Sequence, residues 1–344
     1  MFFKKILNKL FRNKEYGYIR PLPNILLCRA LRSHQKQDFF FYNHAVWTRV
    51  SMFATISLTI RRFPSYFSDL PNISFQNSEK RDPKPGYFTI FCEKGWLPRE
   101  AYQISSLGVN QHHHVMGLLN QDAEKIVTGL SEEEYERRIA KLREDFIDLK
   151  APDDLCSRPF FLFALQIPTD LNFKRSGLEI ASIAKDPDAA PRIRRHFSEQ
   201  IAALNPDARV LFLQHPFGKQ SDPDIELMPD HVYVRNTRKL RALDLATSPN
   251  CRGVITINSN TINEALLFGL PVFQLGDFII KAFPNQFFPY TFEEFLADPE
   301  KCRSISQPRH YIGTILENQA TLEDLKHPAK LRRIIDQELA RKAP

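Results

Sequence analysis

What most constrains this chain is a recurrence of short, continuous apolar runs with helix-like segments between them. Ile25-Leu26-Leu27-Cys28, Tyr87-Phe88-Thr89-Ile90-Phe91 and Phe160-Phe161-Leu162-Phe163-Ala164-Leu165 come first. Arg209-Val210-Leu211-Phe212-Leu213, Val232-Tyr233-Val234, Val254-Ile255-Thr256-Ile257 and Pro271-Val272-Phe273 follow. A strand with one wet face alternates apolar and polar residues, whereas an unbroken apolar run marks a strand buried on both faces of a parallel sheet. Strands alternating with helices through both halves predict an α/β protein with mainly parallel sheets.

Two intervening helices are well signalled. Ser131 with Glu134 three positions on makes a capping box, and Tyr135, Ile139, Leu142, Phe146 and Leu149 recur at helical spacing up to the stop at Pro152. A second helix runs from about Pro191 with Ile193, Phe197, Ile201 and Leu204 on one face, which leaves Arg192, Arg194 and Arg195 as a solvated face. A single core stops growing at roughly 250–300 residues, so 344 residues predict two lobes. The polar stretch Lys150 to Arg158 reads as the linker, giving domains 1–155 and 156–344, with the last helices packing back on the first lobe. Ser78 to Pro85 reads as an exposed loop.

Composition excludes several classes. With 43% hydrophobic residues, 12 Gly and 24 Pro, the chain is neither collagen-like nor low-complexity nor disordered. Its five cysteines contain no C-x-x-C pair, so they read as buried thiols of a reducing compartment and not as a disulfide scaffold or zinc site. A formal net charge of +7 points to an anionic partner: nucleic acid, acidic lipid, or a phosphorylated or carboxylated small molecule. Dispersed Lys and Arg and the lack of a recognised binding motif argue against nucleic acid. The start, Met1 to Lys14, carries Phe3, Ile6, Leu7 and Leu10 on one helical face flanked by Lys4, Lys5, Lys9 and Arg12. Two readings stand for it, a segment lying on an anionic leaflet and an ordinary surface helix. The run Ala45 to Ile60 is too short to span a bilayer, so a cytoplasmic protein, soluble or peripheral on the inner membrane, is expected.

In open α/β sheets, ligands bind beyond the carboxyl ends of the strands. The residues there are polar at four places: Cys92-Glu93-Lys94-Gly95-Trp96-Leu97-Pro98-Arg99, Gln166-Ile167-Pro168-Thr169-Asp170, Gln214-His215-Pro216 and Asn258-Ser259-Asn260-Thr261. The last opens a helix, where hydroxyls and backbone N–H groups make either a phosphate seat or plain N-capping. His215 is either a phosphate-holding cation or a loop histidine.

Taken in order, E-x-G-W-L-P-R from Glu93, L-G-V-N ending at Asn110, Q-x-x-x-D from Gln166 to Asp170, H-P at His215-Pro216, and N-S-x-T-x-x-E-A-L-x-x-G-x-P-V-x-x-x-G from Asn258 to Gly276 resemble a known family. It is the capsule polysaccharide biosynthesis family of bacterial retaining β-Kdo glycosyltransferases, and the resemblance spans about Tyr87 to Gly276. It implies a GT-B-like enzyme with two Rossmann-type lobes facing across a cleft, the first on the acceptor side and the second holding the nucleotide sugar. The donor would be CMP-Kdo and the acceptor a saccharide or glycolipid. His215, Ser259 and Thr261 would bind the CMP phosphate and nucleotide, with Gln166, Pro216, Asn258, Asn260 and Glu264 beside them. Asp170 would be the nucleophile and Glu93 the base, with Gly95, Trp96, Arg99 and Asn110 on the acceptor side. Retention requires two displacements, hence one carboxylate to attack the anomeric carbon and a second to deprotonate the acceptor hydroxyl. One leaving phosphate can be stabilised by a cationic His, N–H groups and hydroxyls, so no metal or other cofactor is expected.

Asp186-Pro187-Asp188 and Asp222-Pro223-Asp224 spell D-x-D but lie in Pro-bearing loops, and His112-His113-His114 reads as a polar acceptor-side loop because adjacent residues do not readily face one ion. The sequence departs from the family at Ile104-Ser105-Ser106, where an Asp is expected before G-V-N. That departure motivates an alternative, a non-catalytic glycan-binding or scaffolding module. A transferase using another donor such as CMP-sialic acid is the second.

Overall fold

A computed structural model describes residues 39–42, 47–76, 85–97, 101–107, 113–115, 118, 129–144, 146, 152–174, 176–186, 188–216, 218, 223–236, 240–276, 290–301 and 308–341. Its strands, in chain order, are β1 (Phe39–Tyr42), β2 (Ile73–Gln76), β3 (Phe88–Lys94), β4 (Tyr102–Ser105), β5 (Phe160–Ala164), β6 (Val210–Leu213), β7 (His231–Val234), β8 (Cys251–Thr256), β9 (Val272–Gln274) and β10 (Gln319–Ala320). The helices are α1 (Trp47–Arg62), α2 (Glu132–Glu144), α3 (Leu171–Lys174), α4 (Ala189–Leu204), α5 (Ala242–Ala246), α6 (Thr261–Leu267), α7 (Phe292–Ala297), α8 (Pro308–Glu317), α9 (Leu322–Lys326) and α10 (Pro328–Arg341). The chain divides into a first unit, 1–115 with 318–344, and a second, 116–317. The 155/156 division expected from composition falls inside the second unit. There α2 is tied to later elements by an Arg143 Nε–H bond to the Leu267 carbonyl at 2.7 Å, and Phe146 meets the edge of Phe268.

The first unit holds a mixed sheet in the order β1-β2-β3-β4-β10. β1, β2 and β3 pair in parallel, while β3 with β4 and β4 with β10 are antiparallel. Met52, Phe53, Ile56 and Ile60, three or four apart on α1, bury one helical face with Ile73, Phe75 and Ile90 of the sheet. Leu325, Leu331 and Ile335 of α9 and α10 enter the same core, and Thr59 Oγ1 donates to the Leu325 carbonyl at 2.8 Å. No helix among the described residues is long and apolar enough to cross a membrane.

The second unit is the doubly flanked parallel sheet that the apolar runs predict. Its order is β7-β6-β5-β8-β9, with every pairing parallel. All five residues of β5 are buried, as a central strand covered on both faces requires. Phe163 lies 5.1 Å from Phe212 and 5.0 Å from Phe197 between ring centroids, so β5, β6 and α4 share one aromatic cluster. The α4 helix begins two residues before the expected Pro191 and buries Ile193, Phe197 and Ile201. It also buries Arg194, which the solvated-face expectation had placed in water; only Arg192 and Arg195 of that trio are exposed. Position 194 shares its face with Ser198 and Ile201, one and two turns on, so helical geometry carries it inward.

Candidate functional site

Chain order makes the second sheet reverse direction at its centre. β5 leads to β6 and β7 on one side, and β8 and β9 then return on the other. The crevice outside the carboxyl ends of β5 and β8 is therefore the topological switch point, the place where such sheets bind ligands. Gln166 follows β5, Asn258 follows β8, and the Gln166 Nε2–H donates to the Asn258 carbonyl at 3.3 Å. The other end of the same amide, Gln166 Oε1, is buried with no hydrogen-bond partner among the described residues.

Beyond Asn258 the chain turns into α6 by local bonds. The Ser259 N–H donates to Thr256 Oγ1 at 2.8 Å, the Ser259 hydroxyl donates to Thr261 Oγ1 at 3.0 Å, and the Thr261 N–H donates to Ser259 Oγ at 3.3 Å. Asn263 Nδ2–H reaches Asn260 Oδ1 at 2.7 Å, and the buried Tyr311 hydroxyl donates to Asn263 Oδ1 at 2.6 Å. Every α6 residue is buried, Glu264 included. Much of the long motif is thus architecture. Gly269 takes the left-handed conformation at φ 63° just past α6, with Gly269 N–H bonded to the Leu266 carbonyl and Leu270 N–H to the Ala265 carbonyl. That crossed pair is a Schellman stop, which only glycine enters without strain. At Gly276 an added Cβ would lie 2.8 Å from the Ser176 Cβ and 2.9 Å from the Ile257 carbonyl, so the motif's last glycine lets two strand ends close up.

Asp170 is half-buried at the end of the β5 loop. Its N–H donates to the Ile167 carbonyl at 2.9 Å and its carbonyl accepts from the Lys174 N–H at 3.1 Å, which places it at the start of α3. His215 follows β6, with its carbonyl accepting from the Gly218 N–H at 2.7 Å. Gln166, Thr169, His215, Gly218, Arg194 and Tyr233 line one pocket in this unit. The structure therefore joins Gln166 to Asn258 by a bond and to His215 through a shared cavity. Pro216 is exposed next to them.

In the first unit, Glu93 lies within β3, paired with Gln103, and not in a loop after the strand. The ladder extends because β3 and β4 form a hairpin closed by the Gly95 N–H to the Ala101 carbonyl at 2.7 Å. Gly95 has no room for a Cβ, which would lie 2.8 Å from the Ala101 carbonyl oxygen. Gln319 of β10 clamps the next residues. Its Oε1 accepts from the Trp96 and Leu97 N–H groups, and its Nε2–H donates to the Leu97 carbonyl at 2.5 Å. No local signal could reveal Gln319, which is more than two hundred residues from Trp96. Arg99 and Asn110 lie outside the described residues, as do the first fourteen residues and the expected strand at Ile25 to Cys28.

His113 and His114 are not an open polar loop. His113 is 1% exposed with its ring 5.0 Å from that of Trp96, edge to face, and 4.2 Å from that of His114. His114 Nδ1 meets Ser105 Oγ at 3.3 Å and a Glu338 oxygen at 3.6 Å, and its Nε2 meets Asn318 Oδ1 at 3.0 Å. Burial holds His113 well below the ordinary imidazole range, with the charges of His114 and Arg341 adding to it. Burial also lowers His114, outweighing the pull of Glu338. In the second unit, burial lowers His231, whose Nδ1 meets Ser198 Oγ at 2.7 Å and whose Nε2–H faces the Ala208 carbonyl at 3.1 Å. Burial thus keeps each ring neutral to a lower pH in the folded chain than in the unfolded chain, where histidines gain protons at about pH 6.5. The unfolded state then binds more protons, so stability present above that pH is lost as pH falls through it. Urea midpoints measured from pH 7.5 to 5.5 should decline, and His231→Gln should flatten the slope.

Of the described D-x-D residues, Asp186 pairs with Arg192 and Asp224 with Arg235, while Asp188 is the N-cap residue of α4. Among the described residues, no group of three His, Cys, Asp or Glu side chains converges as metal ligands do. Cys92, Cys156 and Cys251 are buried free thiols, and burial pushes the Cys251 thiol up to about 12.

No protein-family model matches the chain, and no curated protein matches it. Solved structures do. A Thermosulfurimonas dismutans KpsC structure, a β-Kdo 2,7 transferase, is 14% identical over 70% of this chain and 79% of its own, with a TM-score of 0.43. A second KpsC structure from that organism, a β-Kdo 2,4 transferase, is 14% identical over 59% of this chain and 68% of its own, with a TM-score of 0.38. The wall teichoic acid polymerase TagF is 9% identical over 91% of each chain, with a TM-score of 0.29.

Proposed function

We propose that this chain is a GT-B-like retaining glycosyltransferase that moves Kdo from CMP-Kdo to a saccharide or glycolipid acceptor. The observation that carries the reading is the switch-point cluster. Gln166, His215 and Asn258, which the motif resemblance assigns to the donor, follow three different strands and gather at one carboxyl edge of one parallel sheet. Asp170 ends the β5 loop of that same edge.

In the first displacement an Asp170 carboxylate oxygen bonds to the anomeric carbon, the bond from that carbon to the phosphate oxygen breaks, and CMP leaves with the electron pair. In the second the acceptor hydroxyl attacks the same carbon, Glu93 takes the hydroxyl proton, and Asp170 departs as carboxylate. His215, with hydroxyl and N–H donors of the Ser259–Thr261 turn, stabilises the leaving phosphate, so the reaction asks for no metal. The reading extends to a cytoplasmic enzyme whose first fourteen residues rest on an anionic inner-membrane leaflet, where a lipid-linked acceptor would lie.

The decisive test is intact mass after incubation with CMP-Kdo and no acceptor. The expected result is a protein heavier by one Kdo and a stoichiometric release of CMP. An unmodified protein, with CMP giving no thermal stabilisation beyond that of UDP, GDP or ADP, would overturn the reading.

A further inference from the structure

Glu93 is the last residue but one of β3, so the aim of its carboxylate depends on how the chain just beyond it is held. The Gly95 N–H closes the hairpin on the Ala101 carbonyl. The next two peptide groups are gripped by one side chain. Gln319 Oε1 accepts from the Trp96 N–H and, at 3.2 Å, from the Leu97 N–H, while its Nε2–H donates to the Leu97 carbonyl at 2.5 Å. Two donors on one side and a carbonyl on the other leave the amide a single orientation. Trp96 and Leu97 are 1% and 2% exposed, so a bond lost here is not replaced by one to water.

The clamp also reaches Glu93 across the sheet. Glu93 pairs with Gln103 of β4 and Gln103 pairs with Gln319 of β10, which sets the three side chains in one row on one face. A Cβ added to Gly95 would fall on Gln319 Oε1 and 2.8 Å from the Ala101 carbonyl carbon, so glycine at 95 is what lets the amide lie against the backbone. Three bonds from one side chain, brought from more than two hundred residues away, over-determine a stretch that the hairpin already closes. We propose that Gln319 is a positioning residue for Glu93, holding residues 95–97 so that the carboxylate meets the acceptor hydroxyl. Gln319 touches no reacting atom and acts through the backbone, where a displacement of about 1 Å can cost about 10²-fold in rate. The inference rests on the role proposed for Glu93 and adds to it the C-terminal segment that carries Gln319.

The test follows the full chain through both displacements by rapid-quench intact mass, with CMP-Kdo as donor and water as the acceptor. Growth of the Kdo adduct reports the attack by Asp170. Its decay reports hydrolysis, in which Glu93 takes a proton from water, the water oxygen bonds the anomeric carbon and Asp170 leaves as carboxylate. Gln319→Met keeps the length of the side chain and removes all three bonds. It is expected to slow decay about tenfold or more, to leave growth within about twofold, and to quicken amide exchange at Trp96 and Leu97. Gln319→Glu keeps an oxygen for the two N–H groups and loses the donor alone, so decay should slow by less; it carries the same test if Gln319→Met does not fold. In a Glu93→Gln background, Gln319→Met should change decay by about twofold or less, because a side chain that acts through the base has nothing left to position. Ile335→Val, a small loss in the core of the same unit, controls for lowered stability and should leave both phases unchanged. Growth and decay slowed equally by the Gln319 variants, decay unchanged in them, or a further loss of about tenfold on top of Glu93→Gln would each overturn the inference alone. A wild-type chain that forms no adduct would overturn the function proposed above and this inference with it.

Discussion

Asp170→Ala is expected to eliminate both the Kdo adduct and transfer to any acceptor, lowering turnover by at least about 10³-fold. The size follows from chemistry: an alanine offers no atom to bond the anomeric carbon, and a double displacement without its nucleophile has no first step. The fold should survive. The backbone N–H and carbonyl bonds that set Asp170 at the start of α3 are retained by alanine, and losing a carboxylate at the start of so short a helix costs about 1 kcal/mol. Circular dichroism and a melting midpoint near wild type would therefore accompany the loss. Glu93→Gln separates the two steps. It should leave adduct formation intact and slow acceptor attack, so that the glycosyl-enzyme accumulates on the mass spectrum and CMP appears as a burst. Full transfer by Asp170→Ala would refute the mechanism, and a Glu93→Gln enzyme that forms no adduct would refute the division of labour.

Reading the sequence works best where chemistry is local. The β5 run Phe160 to Leu165 has nothing polar in it, and a strand buried on both faces is the consequence. The α2 cap is legible for the same reason, since the Ser131 hydroxyl and the Glu134 N–H that it bonds are three residues apart. The strand ends at Gln166, His215 and Asn258 are legible because parallel topology sends all carboxyl ends to one edge. Arg194 was misplaced because periodicity assigns a face by counting apolar residues, and a charged residue on that face is counted as solvent-facing. The stack on Tyr233 and the Pro223 carbonyl that make burial tolerable come from distant segments. Gln319 and Glu338 escape for a related reason: they act across more than two hundred residues on backbone groups, which carry no side-chain signature. Glu93 shifts from loop to strand because antiparallel pairing with β4 lengthens β3 past its apolar stretch.

The departure at Ser105-Ser106 takes on a different meaning once Glu338 is in view. Both serines are buried, at 0% and 1% exposure, and Ser106 is bonded to α10 twice: its N–H donates to Glu338 Oε2 at 2.6 Å and its hydroxyl donates to the Glu338 carbonyl at 3.1 Å. Glu338 of the C-terminal helix already brings a carboxylate to this strand end, where it also meets His114 and Arg341. Restoring the expected residue should therefore harm the protein. Ser106→Asp sets a second carboxylate against Glu338 in a buried site, and an uncompensated buried charge costs about 3–5 kcal/mol. The melting midpoint should fall sharply at pH 7.5. The deficit should shrink as pH is lowered, because two adjacent carboxylates raise the pKa of the pair and a shared proton relieves the repulsion. Glu338→Gln removes one of the charges, so the double variant Ser106→Asp with Glu338→Gln should be more stable than the two single losses add up to, by about 1 kcal/mol or more. Strict additivity, or a Ser106→Asp variant as stable as wild type, would mean that the strand end tolerates a second carboxylate beside Glu338.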